Sequence, residues 1–231
     1  IDGLGHEVGC HGYGHQAIYD GTYEDFEYDL RRAKAIIENI TGRALKSYRA
    51  PSFSITSRTK WALGVLAEAG FEYDSSIFPV NHDLYGIPDA PRFPYVKMFD
   101  SEHGIKEFPP STVRFCGLNF PIAGGGYLRL TPYRWTASAI RRLNTVENQP
   151  AMLYLHPWEI DSEQPRLSAS WRSQFRHYQN LNSTEEKLTK LLGNFSLSTM
   201  ENVLAGCTLE TYPEGEHSDP NRIRSSDSAD S

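Results

Sequence analysis

Gly9-Cys10-His11-Gly12-Tyr13-Gly14-His15 sets two histidines four residues apart, with glycines between and beside them. Neutral imidazole is a common ligand for zinc and similar metals, and a metal site needs several donors aimed at one point. Positions four apart share one face of a helical turn. The glycines argue against a stable helix here, because each costs roughly 1 kcal/mol relative to alanine. The stretch reads instead as a tight exit from a strand into a loop that turns both imidazoles inward. The metalloprotease pattern His-Glu-x-x-His fails, since Gly12 stands in the place of its glutamate base. On spacing alone, two loop histidines with no common ligand is the simpler reading.

The wider stretch His6-Glu7-Val8-Gly9-Cys10-His11-Gly12-Tyr13-Gly14-His15 resembles the His-(Ser/Thr)-x-x-His metal motif of the polysaccharide deacetylases. These form carbohydrate esterase family four and share the NodB-homology fold. The spacing of the two histidines is kept, and Gly12 replaces the usual Ser/Thr. A single short motif decides little, so the other family motifs have to follow in order.

The chain has 231 residues and most simply makes one domain. Its composition, 39% hydrophobic and 23% charged, is that of a globular protein. The formal net charge of −6 and the lack of a basic run disfavour nucleic acid as a partner, since that affinity rests on Lys and Arg neutralising phosphates. No apolar run approaches the ~18 residues that span a bilayer. The chain opens on Ile1, inside what reads as ongoing structure, so this start is expected not to be the natural one. Cys10, Cys116 and Cys207 are too few and too irregular for a disulfide framework, although one bridge is compatible with the count.

Residues 22–41 read as an amphipathic helix, with Thr22 as N-cap, Asp25 three residues on, and Gly42 as terminator. A second helix fits 57–69, with Trp61, Val65, Leu66 and Ala69 inward, and a short strand fits 71–74. Four prolines within 79–95 mark a long irregular excursion. Residues 105–129 suggest β structure and a turn at Gly124-Gly125-Gly126, and Thr131-Pro132 suggests a helix start. Ala151-Met152-Leu153-Tyr154-Leu155 reads as a strand buried on both faces. Ser183-Thr184-Glu185-Glu186 reads as a capping box opening a last helix, with Leu188, Leu191 and Leu192 inward. The expected organisation is one domain over 1–212 and a disordered polar tail over 213–231. Helices alternate with short strands, so the class is α/β, with a barrel-like sheet and a site at the C-terminal ends of its strands.

Further motifs sharpen the resemblance. Tyr48-Arg49-Ala50-Pro51-Ser52-Phe53 resembles the deacetylases' Arg-x-Pro motif. Taken alone it is a loop arginine beside a proline that stops a helix. The resemblance implies that Arg49 orients the catalytic aspartate, with the planar fork that suits a carboxylate. It implies that Pro51 and Ser52 line the substrate pocket. Gly70-Phe71-Glu72-Tyr73-Asp74-Ser75-Ser76 recurs in one branch of the family, but the usual paired aspartates and tryptophan are missing. Asp74 is then either a supporting carboxylate behind the site or, as the residues alone favour, a solvated loop acid. Leu153-Tyr154-Leu155-His156-Pro157-Trp158-Glu159 resembles the last motif, a strand ending in Leu-His. It implies His156 as general acid and Trp158 as an apolar wall.

The glycine run is no phosphate loop, because no Gly-Lys-Ser/Thr follows, and no Gly-x-Ser-x-Gly elbow supports a serine hydrolase. Instead Glu107-Phe108-Pro109-Pro110-Ser111-Thr112-Val113-Arg114, the glycine run, His156 to Asp161 and residues 171–179 together resemble a narrower group. It comprises the deacetylases of bacterial exopolysaccharide loci associated with PEP-CTERM sorting. The likeness covers about residues 5–200.

One family element is absent. The first motif, two acids on a first strand ahead of the histidine pair, supplies the base and the third metal ligand, and only Ile-Asp-Gly-Leu-Gly precedes His6. The expected fold is therefore an incomplete (β/α) barrel of the NodB type lacking its first strand. The implied function is metal-dependent hydrolysis of N-acetyl amides on an amino-sugar polysaccharide. His11 and His15 would hold a divalent ion, zinc first, and activity of this chain as given is in doubt. The alternative is a non-catalytic carbohydrate-binding or interaction protein on the same fold. The resemblance points to the bacterial cytoplasm or cell envelope without choosing, and no oligomeric state is implied.

Overall fold

Thr22 fixes where the first helix begins. Its Oγ1 accepts from the Asp25 N–H at 3.2 Å while Asp25 Oδ2 accepts from the Thr22 N–H at 3.0 Å. This reciprocal cap opens α1 (Tyr23–Thr41), which buries Phe26, Leu30 and Ala33. Gly42 ends it in the left-handed region at φ 67°, where a side chain would be strained.

The computed structural model describes residues 2–100, 103–165 and 171–212. Within them the strands are β1 (Gly9–Cys10), β2 (Ser47–Tyr48), β3 (Tyr73–Asp74), β4 (Tyr95–Met98), β5 (Gly104–Glu107), β6 (Thr112–Phe115), β7 (Leu118–Pro121) and β8 (Glu210–Tyr212). One sheet runs β1-β2-β3-β5-β4-β8, and β6-β7 forms a separate hairpin. The first four of that order are parallel neighbours, with Cys10 beside Tyr48, Tyr48 beside Asp74, and Asp74 beside Glu107. Parallel neighbours need crossovers. α1 supplies the first, and α2 (Ala62–Glu68) the second. Leu30, Ile55, Leu66 and Ile105 are fully buried between these helices and the sheet. The expected α/β class is therefore present. The sheet stays open among the described residues, where β1 pairs with β2 alone.

Several local expectations need correction. The second helix begins at Ala62, because Thr59 Oγ1 accepts from the Thr56 N–H at 2.9 Å and donates to Ser54 O at 2.7 Å, holding 56–61 as turns. The glycine run opens a helix, α3 (Gly125–Leu130), rather than a turn. Its glycines are needed for contact: a Cβ on Gly124 would strike the Tyr154 ring, and one on Gly125 the Glu159 carboxylate. The helix after Thr131-Pro132 is α4 (Tyr133–Thr145), with Pro132 as its N-cap.

Residues 151–155 are half-buried and form no ladder beyond one bridge, Gly124 to Tyr154. They pair along one side only, with Met152 O accepting from Ser111 N at 3.2 Å and Tyr154 N donating to Ala123 O at 2.9 Å. With pairing along one edge among the described residues, the run forms no full ladder.

After α5 (Trp171–Tyr178) comes a helical turn at Leu181–Ser183, so α6 (Thr184–Asn194) continues from it without a side-chain cap. The Ser183 hydroxyl donates to Asn180 O at 2.9 Å instead. Leu191 is buried but Leu192 is exposed, and a further helix, α7 (Met200–Ala205), follows. Cys10, Cys116 and Cys207 are free thiols. The tail over 213–231 lies outside the described residues.

Candidate active site

The loop that leaves β1 carries both histidines. Gly12 bends it at φ 77° and His15 itself sits at φ 51°, a conformation uncommon for a side-chain-bearing residue. Asp29 of α1 holds this turn, accepting from the Tyr13 N–H and the Gly14 N–H, each at 2.7 Å. Glycine suits position 12 through its positive φ, and a Cβ at 12 or 14 would come within 3.0 or 3.2 Å of an Asp29 oxygen, so Asp29 would have to give slightly. The His11 and His15 rings meet edge to face with centroids 4.9 Å apart.

His11 Nδ1 lies 2.7 Å from the carbonyl of Arg49, at the end of the neighbouring strand β2. A carbonyl only accepts, so Nδ1 carries the proton and Nε2 keeps its lone pair. Metal-binding imidazoles are commonly oriented in this way. Burial lowers the imidazole's proton affinity, which the Arg49 carbonyl partly opposes and neighbouring His15, Arg49 and His156 reinforce. Neutral imidazole is the form that binds metal. The pair therefore suits a divalent metal as two donors, and among the described residues no third His, Cys, Asp or Glu joins them.

Arg49 points across the strand ends. Its Nε donates to Ser75 O at 3.0 Å and Nη2 to Ser75 Oγ at 2.8 Å. Its guanidinium also lies over the rings of Phe53 and Tyr154, at 5.8 and 5.7 Å. Pro51 is buried and packs beside Gly12, while Ser52 is exposed. Ser52 and Phe53 both take left-handed backbone, φ 56° and 51°. Two consecutive non-glycine residues there mark a strained loop at the site's edge.

Asp74 is not a solvated acid. It is fully buried and accepts from Ser76 Oγ at 2.6 Å and from Ser76 N at 3.2 Å. Glu107, its register partner on β5, is equally buried and accepts from Ile77 N at 2.9 Å through Oε1. Glu107 Oε2 has no hydrogen-bond partner among the described residues, and the Asp74 carboxyl lies beside it in register. Burial raises both above the usual carboxylate range, Glu107 furthest because the Asp74 charge adds to it.

A raised carboxyl stabilises the fold below its unfolded value, and that contribution is lost as pH rises through the folded value. Glu107→Gln should therefore flatten the fall in thermal midpoint that sets in above the ordinary carboxylate range, about pH 4. An unchanged slope in that variant would mean that burial does not raise this carboxyl.

His156 follows the apolar run, and its charge is among those that lower the proton affinity of the His11 imidazole. Its side chain is half exposed, and its Nδ1 lies 3.3 Å from Glu159 Oε2. The same oxygen accepts from the His156 N–H at 2.9 Å. Trp158 stacks between His156, at 5.7 Å, and His177, at 3.9 Å. Glu159 is buried against Arg129 of α3, with Arg129 Nη2 at 3.1 Å and Nε at 3.2 Å from Oε1. Burial raises the Glu159 carboxyl, but bonds from His156 and the Arg129 charge overcome this and hold it low. Asp29, Glu107, Arg129 and Glu159 went unassigned in the sequence. Only Glu159 had a local signal: Pro157 starts a turn that carries a carboxylate three residues on back over the His156 backbone.

Two family models match the chain. A polysaccharide deacetylase family model matches residues 2–73. A second, the domain of unknown function DUF3473, matches residues 75–205, more than half the chain. The chain therefore belongs to the DUF3473 family, and its N-terminal third matches the polysaccharide deacetylase model.

A peptidoglycan deacetylase of Helicobacter pylori is 36% identical over 73 residues, covering 32% of this chain and 24% of that protein. The chain thus spans about a quarter of that curated relative. A solved structure from Mycobacterium smegmatis, named for the polysaccharide deacetylases, aligns with a TM-score of 0.57 at 21% identity, covering 94% of this chain and 69% of that one. A 4-alpha-glucanotransferase from Thermococcus litoralis aligns with a TM-score of 0.55 at 14% identity over 89% of this chain and 29% of its own. The second differs in activity, so these structures establish the fold alone.

Proposed function

We propose that this chain serves metal-dependent deacetylation of an amino-sugar polysaccharide, with exopolysaccharide as the substrate that the narrower group resemblance favours. What supports the reading is the loop after the parallel strand β1, where the His11 and His15 rings lie 4.9 Å apart and His11 Nδ1 is taken by the Arg49 carbonyl, leaving Nε2 for a ligand. Zinc is the metal proposed for His11 and His15. When bound, such an ion polarises the acetyl carbonyl and makes its water more acidic.

The chain's own residues hold the ion and move one proton. His11 and His15 present two lone pairs. His156 delivers a proton from Nε2 to the sugar nitrogen as the carbon–nitrogen bond breaks. The water oxygen ends in acetate and its two protons pass to solvent, the sugar leaves as an amine, and His156 regains its proton from solvent. Trp158 stacks on the His156 ring and limits its tilt. The loop at Pro51 and Ser52 borders the acetyl group's side of the site.

One observation favours a second reading, a carbohydrate-binding protein without chemistry: the pair has no third protein donor among the described residues. Calorimetry with zinc separates the pieces. Two imidazoles should bind zinc weakly, since tight sites use three or four protein ligands. Binding should vanish in His11→Ala. Heat of binding that persists in that variant would remove the pair from the metal site. Metal-dependent acetate release from N-acetylated amino-sugar polymers distinguishes the enzyme from the binding protein.

A further inference from the structure

The residue three after the candidate acid is built into the core rather than left on the surface. The Glu159 carboxylate is 2% exposed, whereas the His156 side chain it touches is 53% exposed. One oxygen, Oε1, faces Arg129 at 3.1 Å. The other, Oε2, takes the His156 N–H at 2.9 Å and faces Nδ1 at 3.3 Å. Arg129 is itself fixed, donating from Nη1 to His177 O at 2.8 Å and to Gln179 O at 3.2 Å. Gly125 leaves the room for this carboxylate, since a Cβ there would overlap it. Such a guanidinium, always protonated, has no lone pair to offer. Glu159 beside it therefore stays an anion and can only accept.

We propose that Glu159 is the positioning residue for His156. It holds Nδ1–H and so leaves Nε2 as the nitrogen that exchanges a proton at the site. This deepens the deacetylase reading and rests on it for the role of His156. A carboxylate behind an imidazole fixes the tautomer, fixes the ring plane, and stabilises the imidazolium that must exist before the proton is given up. Here that carboxylate comes from the same turn as the histidine, with Pro157 starting the turn and Arg129 of α3 anchoring it. Asp74, the acid that the sequence offered for a supporting role, is committed to Ser76 and Glu107 instead.

Nitrogen NMR of the whole chain labelled at histidine tests this, with His156 signals assigned from their loss in His156→Ala. In the neutral ring, the proton should sit on Nδ1. In Glu159→Gln, Arg129 draws the carboxamide oxygen, so the amide NH2 turns toward His156 and the proton should move to Nε2. Acetate release should then fall roughly ten-fold or more in kcat with KM nearly unchanged. An Nε2–H tautomer in the unmodified chain overturns the proposal, whether or not the variant folds. So does an unchanged tautomer in a folded Glu159→Gln. If the tautomers behave as expected but His156→Ala keeps full acetate release, the positioning stands and the general-acid reading of His156 falls.

Discussion

Replacing His156 by alanine should lower kcat for acetate release roughly 10²- to 10⁴-fold, the usual range for a general acid. In barrier terms this is about 3–5 kcal/mol. The size follows from the leaving group. A sugar amine cannot depart as an amide anion near neutral pH, so the nitrogen must be protonated as its bond breaks. His156 is the half-exposed imidazole held by a buried carboxylate at this site, which equips it for that transfer. Binding of the proposed zinc should stay nearly unchanged, because Nδ1 faces Glu159 and His156 is not a proposed ligand. Loss of zinc together with activity would assign His156 to the metal instead. The assay compares both quantities in one preparation, so a failure to load metal is not mistaken for a failure of proton transfer.

What the sequence made legible was local. Thr22 with Asp25, and Gly42 after the helix, mark α1 because cap and terminator are properties of a few adjacent residues. The histidine pair was legible for the same reason: glycine spacing and imidazole chemistry sit in one loop. Long-range pairings were not. Asp74 looks like a loop acid in a polar stretch, and nothing nearby announces that Glu107 lies beside it in register on β5. The glycine run looked like a turn because glycine opens turns as readily as it permits contact. Its need for glycine comes from Tyr154 and Glu159, about thirty residues away in the chain. Likewise, the apolar run at 151–155 has the composition of a central strand. Apolar composition records hydrophobicity but not which edges find partners, and here one side alone does.

Arg129→Leu should destabilise the fold by about 3–5 kcal/mol, the usual cost of stripping one partner from a buried ion pair. The Arg129 and Glu159 side chains are 4% and 2% exposed, so neither charge has water to fall back on. Removing the guanidinium leaves a buried carboxylate facing only His156 and its N–H. The loss includes more than the pair, since Arg129 also donates to the His177 and Gln179 carbonyls and lies 5.2 Å from the Trp158 ring. Those contacts tie α3 to the C-terminal end of α5 and the residue after it. Urea unfolding should show a lower midpoint with little change in slope, as expected when stability rather than exposed surface changes. The double variant Arg129→Leu with Glu159→Leu should lose less than the sum of the single losses, because no unpaired charge then remains in the core. That recovery separates the electrostatic part from the packing part. A single-variant cost below about 1 kcal/mol would place the pair energetically among surface ion pairs. It would then follow that Glu159 is not rigid enough to hold an imidazole, so the stability of this ion pair and the tautomer of His156 are bound to the same outcome.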